Sequence, residues 1–255
     1  MFRNYIKIAW RHLLQHKALS FINIFGLATG MAFAILIGLW IQYETSFDDA
    51  NVNKDRIALV LKNTFFNNQK NTHDATPMPL YYELQSNYPE VKHNSRLSWN
   101  FDCNLVVGDK KIKKQVRYVD PDFLEMFTVY PVHGNLKTAL DDANSIVITE
   151  SLSKVLFGTT DAVGKTLKMD NEFLLHVSAV IKDIPTNSTI RYDFLAPYEF
   201  QVQQSEFIKN NKNNWGNNFL MNVLELKEGV SMEAFSKKIA NLNIEKDKSL
   251  KDLTL

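Results

Sequence analysis

The sequence predicts an α+β protein, with an N-terminal interfacial and transmembrane helix followed by a mixed α+β extracytoplasmic domain. Three observations lead there. The stretch Ala18–Tyr43 (ALSFINIFGLATGMAFAILIGLWIQY) holds no charged residue over 26 positions. The residues after it mix strand-like and short helical runs without the regular βαβ rhythm of a parallel sheet. No second apolar run reaches about 18 residues, the length at which a further span would be read.

The apolar stretch sets the frame. As a helix rising about 1.5 Å per residue it spans roughly 39 Å, more than the roughly 30 Å hydrocarbon core of a bilayer. Twelve of its residues are Leu, Ile or Phe, and each favours insertion by a few tenths of a kcal/mol near the membrane centre. A secretory signal peptide would carry a shorter apolar core and a small-x-small cleavage site. Here the run leaves instead through Leu39-Trp40-Ile41-Gln42-Tyr43, with aromatics at interfacial depth.

Charge sets the direction. The formal net charge is +1, yet residues 1–17 carry Arg3, Lys7, Arg11 and Lys17 and no acid. Glu44, Asp48 and Asp49 follow the span. The expectation is a cytoplasmic N-terminus and an outer C-terminal domain. That domain is weakly acidic, which argues against a nucleic-acid surface.

Within residues 1–17, Phe2, Tyr5, Ile6, Ala9, Trp10 and Leu13 follow helical spacing, with Arg3, Lys7 and Arg11 off the stripe. This is a short amphipathic helix suited to the cytoplasmic interface. The membrane-interface set is therefore Arg3, Lys7, Trp10, Arg11, Lys17, Trp40 and Tyr43. Inside the span 18–43, Gly26, Gly30, Ala34 and Gly38 recur every four residues. They form a smooth face on which a second membrane helix can pack closely.

Beyond residue 44 the signals are local. Ile57–Phe66 reads as a strand and Leu80–Asn87 as a helix. Arg96–Val107 and Lys111–Val119 form a hairpin around Gly108-Asp109. Asp120 and Pro121 open a short helix through Phe127 as N-cap and first turn. Ser145–Thr149 is a strand feeding a helix over Glu150–Phe157, which Gly158 ends. Lys165–Met169 and Phe173–Ile184 pair around Asp170-Asn171, and Asp193–Pro197 adds another strand. Phe219–Leu226 alternates like a strand. Ser231 opens a helix to about Leu242, and a polar tail follows to Leu255.

Catalytic signatures do not accumulate. Gly158-Thr-Thr-Asp-Ala-Val-Gly164-Lys165-Thr166 imitates a phosphate-binding loop, but it has five residues where four are needed. It also follows a helix rather than a strand. The histidines His12, His16, His73, His93, His133 and His176 lack the spacing of a metal site. Asp48-Asp49, Asp141-Asp142 and Asp120/Asp122 each flank a turn or helix start, where carboxylates act as caps. The sole cysteine, Cys103, has no internal disulfide partner. No catalytic residue, cofactor or metal is expected, and the reading is not an enzyme.

The order of motifs resembles the permease subunits of the MacB/FtsX-type ABC transporter family. Phe2-Arg-Asn-Tyr-Ile-Lys-Ile-Ala-Trp-Arg11 followed by Ile22–Gly30 looks like that family's first membrane segment, and Tyr43–Asp48 like its exit. Val119–Phe127, Gly134, Ala139-Leu140, Ile146–Ser151, Leu156-Phe-Gly158, Val163-Gly-Lys165 and Val180–Pro185 follow in the order of the MacB-like periplasmic core domain, placed at 44–255. The resemblance implies a bacterial inner-membrane protein. It implies three partners: the lipid bilayer, a second permease copy as a dimer, and a cognate cytoplasmic ABC ATPase. It also implies transmission of ATPase cycles to the periplasmic domain for efflux, lipid or peptide handling, or envelope regulation. Family permeases have at least three further membrane helices, so the expectation is an N-terminal portion or truncated form, with the domain incomplete at its C-terminal end. The alternative is a single-pass membrane-anchored sensor, binding or adaptor protein.

Overall fold

The computed structural model describes residues 2–66, 69–247 and 253–254. The chain divides into two units, 1–48 and 49–255. The first holds α1 (Phe2–Gln15) and α2 (Lys17–Thr45). They are separated at His16, whose φ/ψ of −111°/56° lie outside the helical region. α2 is long and apolar enough to cross a membrane.

The second unit begins with β1 (Ile57–Leu59), β2 (Lys62–Phe66), β3 (Gln69–His73) and β4 (Thr76–Pro77), then α3 (Met78–Asn87). Next come β5 (Val91–Leu97), β6 (Phe101–Val107), β7 (Lys110–Val119), α4 (Phe123–Met126), β8 (Pro131–Gly134), β9 (Ser145–Thr149) and α5 (Glu150–Phe157). The remainder is β10 (Thr166–Met169), β11 (Phe173–Ile181), β12 (Phe194–Pro197), α6 (Tyr198–Gln204), α7 (Glu206–Asn210), β13 (Asn218–Leu226), α8 (Met232–Ile239), α9 (Leu242–Lys246) and β14 (Leu253–Thr254). The architecture is mixed α+β, with an apolar helix ahead of a sheet-rich domain.

The sheet closes on itself. β7 pairs β12, β12 pairs β9, β9 pairs β11, β11 pairs β10, β10 pairs β6, and β6 returns to β7. The result is a small barrel whose interior is filled by side chains. Alternate residues point inward, among them Leu105, Val116, Ile146, Ile148, Leu167 and Phe194, all at most 2% exposed. The other face of β9, β11 and β12 is covered by the connection that carries α4, where Phe123, Leu124, Met126 and Leu140 are buried. From the end of β7 the sheet extends through β5 and β13 to β1. Leu80, Leu84, Leu224, Leu226, Phe235 and Ile239 pack on this extension as a separate cluster.

Local chemistry places several elements. Thr149 caps α5, its hydroxyl accepting from Leu152 N at 3.3 Å, and Gly158 ends it at φ +73°. Ser231 caps α8 in the same way, accepting from Ala234 N at 3.3 Å. Gly134 has φ +92°, and a Cβ there would lie 2.5 Å from the Ser178 carbonyl oxygen. Glycine is needed at that position for both reasons.

Some expectations are corrected. The single strand over Ile57–Phe66 is two strands in two sheets: β1 pairs β13, while β2 joins β3 and β14. A run of strand-forming residues specifies a strand but not its partner. Residues 98–100 break the expected Arg96–Val107 strand. The helix opened by Ser231 stops at Ile239, and α9 starts afresh at Leu242. Asp120 is not a side-chain cap, and Asp122 stands at the N-cap of α4 without a side-chain cap bond. Both carboxylates are taken by β5, as described below. Of the expected polar tail, the first residues continue α9 and 253–254 form β14, while 248–252 and 255 lie outside the described residues.

Candidate functional site: the lead-in segment and its buried ion pairs

In the first unit, Gly26, Gly30, Ala34 and Gly38 are exposed along α2. A Cβ at any of the three glycines would meet nothing within 4 Å beyond the neighbouring residues and backbone of its own helix. Arg3, Lys7, Trp10 and Arg11 are exposed on α1, Lys17 at the start of α2, and Trp40 and Tyr43 near its end. Tyr43 packs edge-on against Phe47 at 5.3 Å.

The domain begins with a short polar lead-in, 49–56, that is tied down along its length. Asp49 pairs with Lys54. Val52 N–H donates to Thr128 Oγ1 at 2.9 Å, and Thr128 N–H donates to Asn51 Oδ1 at 3.1 Å. Asn53 Nδ2 donates to the Met126 carbonyl at 3.3 Å. The segment is thus laced to the turn after α4 before it enters β1.

Its last residue reaches the sheet. Arg56 Nη2 donates to Asn53 Oδ1 at 2.7 Å and to Glu225 Oε1 at 3.0 Å, while Nη1 reaches Glu228 Oε1 at 3.3 Å. The Glu225 side chain is fully buried on β13, and Lys92 Nζ donates to the same Oε1 at 3.2 Å. Two cations therefore share one oxygen of a buried carboxylate, which pairs its charge as burial requires, while its Oε2 is buried without a hydrogen-bond partner.

A second pair lies deeper. Asp120 Oδ2 accepts from Arg96 N at 2.7 Å and Nε at 2.9 Å, while Oδ1 accepts from Nη2 at 2.6 Å. Arg96 and Asp120 are 5% and 4% exposed. The guanidinium carbon lies 4.7 Å from the Tyr81 ring centre and 4.5 Å from that of Tyr198, a cation–π sandwich. Burial acts against the charged guanidinium, but the hydrogen bonds and charge of Asp120 outweigh it and hold Arg96 above its ordinary pKa. Burial pushes Tyr81 and Tyr198 upward, so both phenols stay neutral. Alongside, Asp122 Oδ2 accepts from Asn94 N at 3.2 Å and lies 3.5 Å from His93 Nδ1.

The remaining candidates stay apart from this network. The phosphate-loop imitation is a turn between α5 and β10, with Lys165 Nζ stacked 5.4 Å from the Phe157 ring. Asp142 Oδ1 accepts from Asn144 N at 2.9 Å, an ordinary turn role. Cys103 is buried, and desolvation pushes its thiol up to about 12, which keeps it protonated and weakly nucleophilic. Among the described residues no three His, Cys, Asp or Glu side chains converge on a metal position.

Reading the sequence for local spacing misses both ion pairs. The one available signal is Glu225, the only charge in Phe219–Leu226, where Asn222 is the only other polar residue; Arg96 lies in a polar strand, Val91–Leu97, that gives no such sign.

Solved structures share this fold. A domain of a putative permease protein from Porphyromonas gingivalis matches 79% of this chain and 84% of its own, at 24% identity and a TM-score of 0.64. The periplasmic region of MacB from Actinobacillus actinomycetemcomitans matches 78% and 86%, at 16% identity and 0.55. The extracellular domain of the noncanonic ABC-type transporter YknZ from Gram-positive bacteria matches 78% and 100%, at 12% identity and 0.54. At these identities the likeness is one of fold. A search of curated proteins returns no match. Residues 20–242 match the MacB-like periplasmic core domain, and the chain belongs to that family, a component of ABC transporter permeases.

Proposed function

We propose that this chain works as a permease subunit of a MacB/FtsX-type ABC transporter, carrying the cycle of a cytoplasmic ATPase through α2 into the outer domain. The observation that carries the reading is the lead-in segment. Residues 49–56, which open the outer domain, are held firmly to it. They are hydrogen-bonded to Thr128 and Met126 and ion-paired to the buried Glu225. A displacement at residue 49 is then delivered to β13, the middle strand of the sheet extension, rather than dissipated.

In this reading residues 1–17 lie at the cytoplasmic face of a bacterial inner membrane. Residues 18–43 span it, and 44–255 form the periplasmic domain. Arg3, Lys7, Arg11 and Lys17 hold the N-terminus inside, and Trp10, Trp40 and Tyr43 sit at the interfaces. The stripe Gly26, Gly30, Ala34 and Gly38 packs on another permease helix, including that of a second copy. Contact with the ATPase is assigned to other membrane helices of the permease.

The test is isolation of the tagged full chain from its native membranes after mild cross-linking. An ABC ATPase and a second permease copy are expected with it. Gly30→Leu should lower their recovery about fivefold while the chain still fractionates with the membrane. Normal insertion with neither partner recovered would overturn the proposal in favour of a single-pass sensor or adaptor.

A further inference from the structure

A cavity of about 360 Å³ lies between α8, the β1 end of the sheet and the β2–β3 hairpin. Its size falls within the range of small-ligand sites. One wall is a single face of α8, with Met232, Phe235, Ser236 and Ile239 at i, i+3, i+4 and i+7. Val60 and Leu224 form the floor, at 6% and 1% exposed. The opposite wall is one face of the hairpin: Asn63 stands directly across from Thr72, with Lys70 two residues along the same strand face. Thr72 Oγ1 donates to Asn63 Oδ1 at 2.8 Å, which braces that wall.

The chemistry is lopsided in a useful way. The α8 wall and floor are almost wholly apolar, while the hairpin wall is polar and carries a single ammonium, that of Lys70. Among the lining residues no carboxylate offsets it. An uncharged apolar ligand would leave the Lys70 side unused, and a polar anion would leave the floor unused. The volume equals roughly a dozen water-sized units of about 30 Å³, close to the bulk of a medium alkyl chain.

We propose that this cavity binds a single-chain amphiphile with an anionic end, its alkyl chain against Val60, Leu224, Phe235 and Ile239 and its carboxylate or phosphate at Lys70. A free fatty acid and the tail of a membrane lysolipid share that chemistry. The assignment does not rest on the transport reading.

The probe is a photoactivatable laurate with its diazirine near the methyl end, used on the full chain in lipid nanodiscs and mapped by mass spectrometry. Labelling is expected on α8 and β1. Excess laurate should compete it away, and dodecanol about fivefold less well. Lys70→Gln should weaken labelling by a similar factor. Ser236→Trp, which fills the cavity from an exposed position on α8, should abolish it with an unchanged circular dichroism spectrum. Competition by laurate alone points to a free acid, and equal competition by lauroyl-lysophosphatidylglycerol to a membrane lipid. Labelling confined to α1 and α2, labelling that survives Ser236→Trp, or equal competition by laurate and dodecanol would overturn the proposal.

Discussion

At Arg96 the guanidinium donates twice to Asp120, lies between two tyrosine rings, and is fixed by its own backbone N–H to the same carboxylate. A buried pair of this kind adds little over a well-packed apolar pair, but removing one partner strands the other charge at a cost of about 3–5 kcal/mol. Arg96→Met should therefore destabilise the domain by about that amount. For a domain of this size the loss corresponds to a fall in melting temperature of roughly 10 °C, read by tryptophan fluorescence. Arg96→Lys should recover little, because an ammonium can neither fork to both oxygens nor stack between the rings. A loss under about 1 kcal/mol for Arg96→Met would show that the pair is not isolated from water.

At the scale of elements, α5 shows what a local sequence can say. Ser145–Thr149 is a strand buried along its whole length, Thr149 caps, Glu150 begins the first turn, and Gly158 ends the helix in the left-handed region. Every one of those signals lies within a few residues of its effect. What α5 receives from elsewhere was not legible. Asp183, in the loop after β11, accepts from Ser151 N at 3.0 Å and from Ser151 Oγ at 2.5 Å, a carboxylate on the helix's first turn. The same difference in range explains the misassigned Asp120 and the overlooked partners of Glu225. Asp120 sits before Pro121 and looks like a cap, but its partner is 24 residues earlier, and Glu225 binds an arginine 169 residues away. The split of Ile57–Phe66 has the same origin, since its two halves choose different sheets through remote partners.

Asp183 also makes a pH prediction. Burial would raise its carboxyl, but the bonds from Ser151 and Thr149 and the nearby Lys154 outweigh that and hold it below the usual carboxylate range. A depressed folded value means its stabilisation is complete above the unfolded value of about 3.9 and is lost as pH falls through the folded one. The melting advantage of wild type over Asp183→Asn, present at neutral pH, should shrink below about pH 4. An advantage that stayed constant into acid would rule out the charge as its source.

At the scale of the whole molecule, the domain has two kinds of stiffness. The closed barrel of β6, β7, β12, β9, β11 and β10 buries both its interior and part of its outer face, so its local opening is costly. The sheet extension through β5, β13 and β1 is narrower, and the lead-in segment is fastened both to it, through Arg56, and to the turn after α4, through Thr128 and Met126. Arg56 is the fastening that joins residues 49–56 to β13. Arg56→Ala leaves Glu225 with Lys92, so the loss is that of three hydrogen bonds, to Glu225, Glu228 and Asn53, rather than of a stranded charge, about 1–3 kcal/mol. The global melting temperature should fall by only a few degrees. Amide exchange in the peptide covering 49–59 should rise by about tenfold or more, because local opening is governed by the contacts of that segment. Lys237→Ala, which breaks an exposed helical pair with Glu233, should change neither. Exchange at 49–59 that is unmoved by Arg56→Ala would mean the ties to Thr128 and Met126 hold the segment alone, and the path from residue 49 to the sheet would then run through the turn after α4 instead of through β13.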